Sequence, residues 1–480
     1  MSLVADATAD PRKLAAVRRA QGLTGRLNAA GAAPRANALT AFECRRLSDL
    51  MAVAYHEAGI THRRVLYEAL AADAIYPAAQ LVSLHFRIFV SWFGPHGVLA
   101  DWLTRFPRRL RQRASRLRLG HLLPGNHPGA VVSALLPGFL LGCRQIARPS
   151  PRLAHFTAAL TKRVYQFTRG KPPREDFRPL NPEELAYDPI FDAEPRLPKP
   201  ELRRWDHRAA GSARHLEAFL RDCDVVTVQG SDFTVEAIRA AWQKLPIHAR
   251  PHLIAFPHRL SLIAVDCDAL APRADLRFRR PDTERIETAH GHSNAEAVAR
   301  HASQNDQRGC LNPHGIFLIG APPRRAAWRK ALAIELARSK LTPLALSVEE
   351  RLAIGYQHRI YAELSRAQDS GFAVQEFGRG DRAARLWSVP PTEAPLALTG
   401  RSFYLWEADT PRVAARAMAA WRTPLQAIGC FPDPASFARP FARLQSWVCT
   451  LGQLAWPPVD WPQDGCDLLR RLIRLAGDAG

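Results

Sequence analysis

Cys310 closes the polar run Asn305-Asp306-Gln307-Arg308-Gly309-Cys310, just ahead of the apolar stretch Gly315-Ile316-Phe317-Leu318-Ile319-Gly320. A cysteine is the natural side chain for covalent attack on a carbonyl, because a free pKa of about 8.5 leaves a few per cent thiolate near neutral pH. The competing reading is packing, the commoner fate of a lone cysteine. A second segment, Pro124-Gly125-Asn126-His127-Pro128, holds an Asn between residues that stiffen a turn, which would aim its amide in one direction. A third, Gly230-Ser231, follows the apolar run Asp224-Val225-Val226-Thr227-Val228-Gln229 and precedes a helical stretch. A strand, a small residue and a helix N-terminus form the usual cradle for a phosphate, although most such junctions are plain turns.

These segments need a scaffold, and the hydrophobic pattern supplies one. Residues 1–118 read as a helical region, with apolar positions at three- and four-residue intervals from residue 9 onward. From 119 to 290 short apolar runs alternate with helical stretches, the texture of a parallel, doubly wound nucleotide-binding sheet. Residues 169–212, rich in Pro and charge, read as an insert on its surface. A second α/β texture over 291–420 forms a catalytic domain around Cys310, and 421–480 returns as a C-terminal segment. The expected fold class is therefore α/β.

Composition narrows the function. The chain has 480 residues, 47% hydrophobic and 23% charged, as in ordinary globular proteins. Its net charge of +21 is mostly Arg and suits polyanionic partners, from nucleic acids to a dinucleotide or coenzyme A. Arg-rich codon usage accounts for the same charge without any partner. Arg105, Arg108, Arg109, Arg111, Arg113, Arg116 and Arg118 crowd together, either as a solvated helix face or as a phosphate-docking surface. No run approaches the roughly 20 apolar residues of a membrane helix, and the N-terminus lacks a signal-peptide pattern. The eight cysteines show neither CxxC pairs nor metal spacing. The expectation is a cytoplasmic protein with no metal and reduced thiols. Against nucleic-acid binding, there is no zinc finger, aromatic-interleaved basic motif or dimerisation heptad.

Taken in order, the segments resemble the aldehyde dehydrogenase superfamily, and within it the acyl-CoA reductases of bacterial luminescence operons. The Pro-x-Asn-x-Pro turn is matched by Pro124 to Pro128, and the Gly-Asn-x-x-x-x-Lys-Pro-Ser strand by Gly142-Cys143-Arg144-Gln145-Ile146-Ala147-Arg148-Pro149-Ser150. The Gly-Ser turn is matched by Gly230-Ser231, and the reductase-type loop by Asp306-Gln307-Arg308-Gly309-Cys310-Leu311-Asn312-Pro313. Leu425-Gln426-Ala427-Ile428-Gly429 and Trp461-Pro462-Gln463-Asp464-Gly465 resemble the ending of that branch. The likeness spans about residues 117 to 475. Four features depart from it. Arg148 replaces a Lys and Cys143 an Asn, while Ile254 to Ser261 lacks the acid with which oxidising members activate water. The Glu-x-Phe-Gly motif has no counterpart of the right spacing, since Gln375-Glu376-Phe377-Gly378 differs internally.

The resemblance implies an aldehyde-dehydrogenase-like fold and NADPH-dependent reduction of an acyl-CoA, of fatty type, to the aldehyde through an acyl-cysteine. Cys310 would be the nucleophile. The Asn126 amide and the Cys310 backbone N–H would stabilise the oxyanion. Arg148, Ser150, Gly230 and Ser231 would hold the cofactor, with NADH as the alternative to NADPH. The acyl donor would be acyl-CoA or an acyl-protein thioester, and the chain could form a homo-oligomer or a complex with an acyl-supplying protein. An inactive or scaffolding member of the same fold, or a basic nucleic-acid-binding protein, are the alternatives. A missing water-activating acid favours reduction, because such an acid would hydrolyse the acyl-enzyme.

Overall fold

The computed structural model describes residues 105–168, 199–206, 209–273, 275–279, 286–338, 346–367, 370–377, 383–421, 423–455, 457–458, 460–463 and 465–478, with 69, 72, 73 and 102 before them. Most of the helical reading of residues 9–118 therefore lies outside the described residues, as does 169–198 of the insert.

The elements follow one another as α1 (Arg108–Ala114), β1 (Arg118–Leu122), α2 (Pro128–Leu141), β2 (Arg144–Arg148), α3 (Ala154–Thr168), β3 (Glu201–Leu202), α4 (Ser212–Arg221), β4 (Val225–Gln229), α5 (Asp232–Lys244) and β5 (His252–Phe256). Then come β6 (Leu260–Asp266), β7 (Asp275–Arg279), β8 (Ile286–Ser293), α6 (Asn294–Ala302), β9 (Pro313–Ile319), α7 (Pro322–Arg338), α8 (Val348–Leu364), β10 (Ala373–Phe377), β11 (Ala384–Ser388) and β12 (Ser402–Ala408). The chain continues through α9 (Pro411–Ala420), β13 (Leu425–Phe431), α10 (Ala435–Phe441), β14 (Trp447–Thr450), α11 (Leu451–Ala455) and α12 (Leu468–Asp478).

Two compact units result. The described residues up to His258, together with those from 460 onward, form the first, and Arg259 to Pro458 the second. The divide falls before the expected boundary at 290, because β5 pairs with β4 whereas β6 pairs with β9 and β13. The final segment is also split: β13 and β14 belong to the second sheet, and α12 packs beside α1 and α2 of the first unit.

The first unit holds a five-stranded parallel sheet in the order β3-β2-β1-β4-β5. Successive strands run one way from β1 to β3 and the other way from β4 to β5, so the topology reverses between β1 and β4. In open sheets of this kind, ligands bind beyond the carboxyl ends of the strands at that reversal. Every residue of β4 is buried, as expected for a strand covered on both faces. One face packs Leu122, Ile146, Val226 and Val228 on Phe219 and Leu220 of α4. The other carries a buried polar chain: His121 Nδ1 lies 2.8 Å from Thr227 Oγ1, and its Nε2 lies 3.0 Å from Gln145 Oε1. Gly138 of α2 makes room for it, since a Cβ there would meet Gln145 Oε1 at 2.4 Å.

Burial lowers the His121 pKa to about 4, against which the Gln145 hydrogen bond is the smaller effect. The unfolded chain therefore binds a proton more readily than the fold between pH 6.5 and 4. Stability held above pH 6.5 is lost as pH falls through that window. Relative to His121→Gln, the protein should lose about 2–3 kcal/mol of unfolding free energy between pH 7 and 4.5, at 1.36 kcal/mol per pKa unit. Urea titrations at the two pH values measure it. Parallel losses in both proteins would show that His121 does not titrate in this range.

The second unit holds a seven-stranded sheet in the order β10-β11-β12-β9-β6-β13-β14, parallel except for the β10 edge. Apolar clusters cover both faces. Trp328, Leu332 and Val298 lie on one, and an aromatic group of Phe317, Trp387, Tyr404, Trp406 and Trp421 on the other. Among the described residues no helix is long and apolar enough to cross a membrane. On the Arg-rich α1, Arg108, Arg109 and Arg113 are exposed while Ala114 is buried, which is the pattern of a solvated helix face.

Candidate active site

In the first unit, the expected site residues gather at the carboxyl edge of the sheet. Pro128 starts α2 with its φ already set, and the His127 ring caps the helix by accepting from the Gly129 N–H at 3.0 Å. The helix is buried almost throughout and closes on Gly142 in the left-handed conformation. It thereby anchors the turn after β1, on which Asn126 stands exposed. Ser150, after β2, reaches that same turn. A Cβ on Gly125 would meet Ser150 Oγ at 2.2 Å, so glycine is required there for the two segments to meet.

Arg148 ends β2. Its guanidinium lies over the Trp205 ring at 5.2 Å, and one terminal nitrogen donates to the Trp205 carbonyl at 3.4 Å. Its Nε is buried without a hydrogen-bond partner. Burial pulls its pKa down, opposed by Asp206. Such a desolvated, under-satisfied guanidinium suits an anion. Ser231 caps α5: its hydroxyl accepts from the Thr234 N–H at 3.3 Å and lies 3.0 Å from Thr234 Oγ1. Asp232 follows in the first helical turn and accepts from the His258 N–H.

Cys310 belongs to the second unit, half-buried in the loop between α6 and β9 at the amino edge of the sheet. Almost every residue of this loop is tied down. The Asp306 carboxylate pairs with Arg401 at 2.8 Å, both side chains at most 5% exposed. Gln307 donates to the carbonyls of Pro313 and Ser402 and accepts from the Ser402 N–H. Arg308 pairs at 3.0 Å with Glu350, which also completes the capping box of α8 with Ser347. The Gly309 N–H donates to Asn312 Oδ1 at 2.7 Å, and the Cys310 carbonyl accepts from Ser261 Oγ at 2.6 Å. Asp306, Gln307 and Arg401 all have left-handed backbones, at φ of 45°, 65° and 59°. Non-glycine residues hold that conformation when their surroundings over-determine it, a condition met around reactive loops.

The other described cysteines contrast with Cys310. Cys143, Cys223, Cys267, Cys430 and Cys449 are buried, and desolvation raises every one of their pKa values, to about 12 for Cys223 and Cys267. Those five are packing residues. Cys310 and Cys466 alone among the described cysteines keep some exposure. No group of His, Cys, Asp or Glu among the described residues is arranged to hold a metal. Glu376, in the segment of wrong spacing, sits on the β10 edge strand and pairs with Arg385 at 2.8 Å.

Sequence reasoning did not find Arg401, Ser402, Glu350 or Ser261 as supports of the cysteine loop. The Asp306-Gln307 pair of the polar run was the one local hint.

The fold resembles solved aldehyde dehydrogenases. Aldehyde dehydrogenase 21 from Physcomitrella patens, in complex with the reaction product succinate, superposes with a TM-score of 0.58 at 12% identity, covering 94% of this chain and 87% of that one. A NAD-dependent benzaldehyde dehydrogenase from Corynebacterium glutamicum gives 0.55 at 12%, covering 92% and 87%. An NADP-dependent enzyme from E. coli gives 0.56 at 11%, covering 91% and 82%. At such identity these likenesses bear on the fold. Among curated proteins no sequence match is found. The profile of the acyl-CoA reductase (LuxC) family matches residues 204–475. The chain belongs to this acyl-CoA reductase (LuxC) family. It is an oxidoreductase acting on an acyl thioester, with an aldehyde as product, and its fold is that of the aldehyde dehydrogenases. The reductase's matched region includes the Gly230-Ser231 turn, the whole Cys310 loop and the Trp461 to Gly465 segment.

Proposed function

We propose that this reductase acts through an acyl-Cys310 intermediate, with a fatty acyl-CoA as substrate and NADPH as reductant. The observation that carries the reading is the Cys310 loop, strained and tethered around a half-buried thiol while five other cysteines are buried and held protonated. The Cys310 thiolate attacks the thioester carbonyl, and the bond to the CoA sulfur breaks. CoA leaves as a thiolate that takes up a proton. Asn126, on its exposed turn, is the proposed donor to the oxyanion, and a well-placed donor is worth roughly 3–4 kcal/mol. A reduced nicotinamide, when bound, would supply the hydride that takes the acyl group to the aldehyde level, and the bond from the acyl carbon to Cys310 Sγ then breaks to release the aldehyde and return the thiolate.

The residues at the first sheet's carboxyl edge fit such a cofactor. Arg148 offers a half-buried guanidinium with an unused Nε, and the Gly230-Ser231 turn opens the 13-residue helix α5 at the topological reversal. Arg148 would grip a 2′-phosphate, the group that separates NADPH from NADH. Arg148→Ala should therefore weaken NADPH binding by about 1.5–3 kcal/mol, the scale of a charged hydrogen bond, with NADH far less affected. Titration calorimetry with both cofactors measures the difference. Equal losses would assign Arg148 to packing against Trp205. For the whole reading, the test is aldehyde formation from acyl-CoAs of graded chain length with NADPH and with NADH. Absence of aldehyde across the series, from folded protein, would reject it.

A further inference from the structure

Gln229 is the last residue of β4, at the carboxyl edge beside β1, where the sheet topology reverses. It is only 6% exposed, yet neither its Oε1 nor its Nε2 has a hydrogen-bond partner. A buried amide left in this state is costly, and native structures rarely tolerate one without a reason. Its neighbours are already engaged. Side chains alternate along a strand, so Gln229 shares the face of Thr227. There Thr227, two residues before Gln229, is engaged with His121, which also meets Gln145. The strand's other face is the apolar cluster around Val226 and Val228.

We infer that Gln229 is a binding residue for a primary carboxamide, that of the nicotinamide ring. This rests on the proposed use of a nicotinamide cofactor at this edge of the sheet. A glutamine amide presents one donor and one acceptor side by side. A primary carboxamide offers the complementary pair, N–H next to C=O, so two parallel hydrogen bonds satisfy both groups at once. The secondary amides of a pantetheine arm cannot do this, because in the trans form their N–H and C=O point in opposite directions. A carboxylate would satisfy the donor and leave the acceptor facing negative charge.

The test compares binding of NADPH, NADH and 2′-phospho-ADP-ribose, which lacks the nicotinamide, by calorimetry and by nicotinamide fluorescence. Gln229→Leu should weaken whichever dinucleotide the unmodified protein binds by about 10- to 100-fold, the scale of one to two buried hydrogen bonds. It should leave 2′-phospho-ADP-ribose within about twofold. Gln229→Glu adds a readout that packing alone would not move. Its protonated carboxyl keeps a donor beside an acceptor, so dinucleotide binding should approach that of the unmodified protein at pH 5.5 and weaken by pH 8. Equal losses for dinucleotide and fragment would overturn the inference, since Gln229 would then support the fold alone. Unchanged dinucleotide binding in both variants would also overturn it. Failure of the unmodified protein to bind either dinucleotide would instead bring down the cofactor reading beneath it.

Discussion

Mixed with an acyl-CoA and no nicotinamide, the reductase is expected to release CoA in a single burst stoichiometric with its active sites, and then to stall. Acyl transfer needs only a thiolate and the groups that stabilise its oxyanion, whereas the next step needs hydride. The segment Ile254 to Ser261 carries no acid to activate water, so the acyl-enzyme should persist. Mass spectrometry should place the acyl group on Cys310, and adding NADPH should discharge it as aldehyde. Cys310→Ala should abolish the burst, while Asn126→Ala should slow it by roughly 100-fold or more, as for one lost oxyanion donor. Cys466 provides the internal control, being the other described cysteine that is not fully buried. An acyl group on Cys466, or a burst surviving in Cys310→Ala, would reject the assignment. Continuous CoA release without NADPH would make the protein a thioesterase.

Arg401→Ala should destabilise the second unit by about 3–5 kcal/mol, the usual consequence of removing one partner of a buried ion pair. Asp306 would be left as a buried carboxylate without the 2.8 Å Arg401 contact, on a backbone at φ 45°. Replacing both partners, as Asp306→Leu with Arg401→Met, should recover much of that loss, because no uncompensated charge remains. Recovery of stability need not restore function. The left-handed backbones at Asp306 and Gln307 would lose one of their restraints, so Cys310 should still be acylated more slowly in the double variant than in the unmodified protein. Guanidinium denaturation and the CoA burst separate the two effects. A loss under about 1 kcal/mol in Arg401→Ala, the range of solvated ion pairs, would show that the pair is not buried in solution.

Much of the scaffold was legible because it is written in local patterns. The run Val225 to Val228 is β-branched and falls in the fully buried β4; the apolar Gly315 to Ile319 lies within β9. The helical stretches after the Asn turn and after Gly230-Ser231 were legible, and they start at Pro128 and Asp232 in the structure. The cysteine, the Asn turn and the Gly-Ser turn could be picked out by residue type and order. The division between His258 and Arg259 is not legible in the sequence, for a physical reason. The strands β5 and β6 are only a few residues apart, and both are apolar runs that read as neighbours in one sheet. Their separation depends on which strands pair with them, and pairing is a long-range choice.

The sequence by itself therefore determined the α/β class, most of the strands and helices, and the types and order of the candidate site residues. Tertiary structure alone decided what holds them. Arg401 meets Asp306 from 95 positions away, Ser402 meets Gln307 over the same separation, and Ser261 reaches Cys310 across 49. Hydrophobic periodicity fixes which face of an element is buried, and that information lies within a dozen residues. A buried ion pair or an orphaned amide such as Gln229 is defined by what the folded chain brings, or does not bring, within about 3 Å. No local pattern carries it.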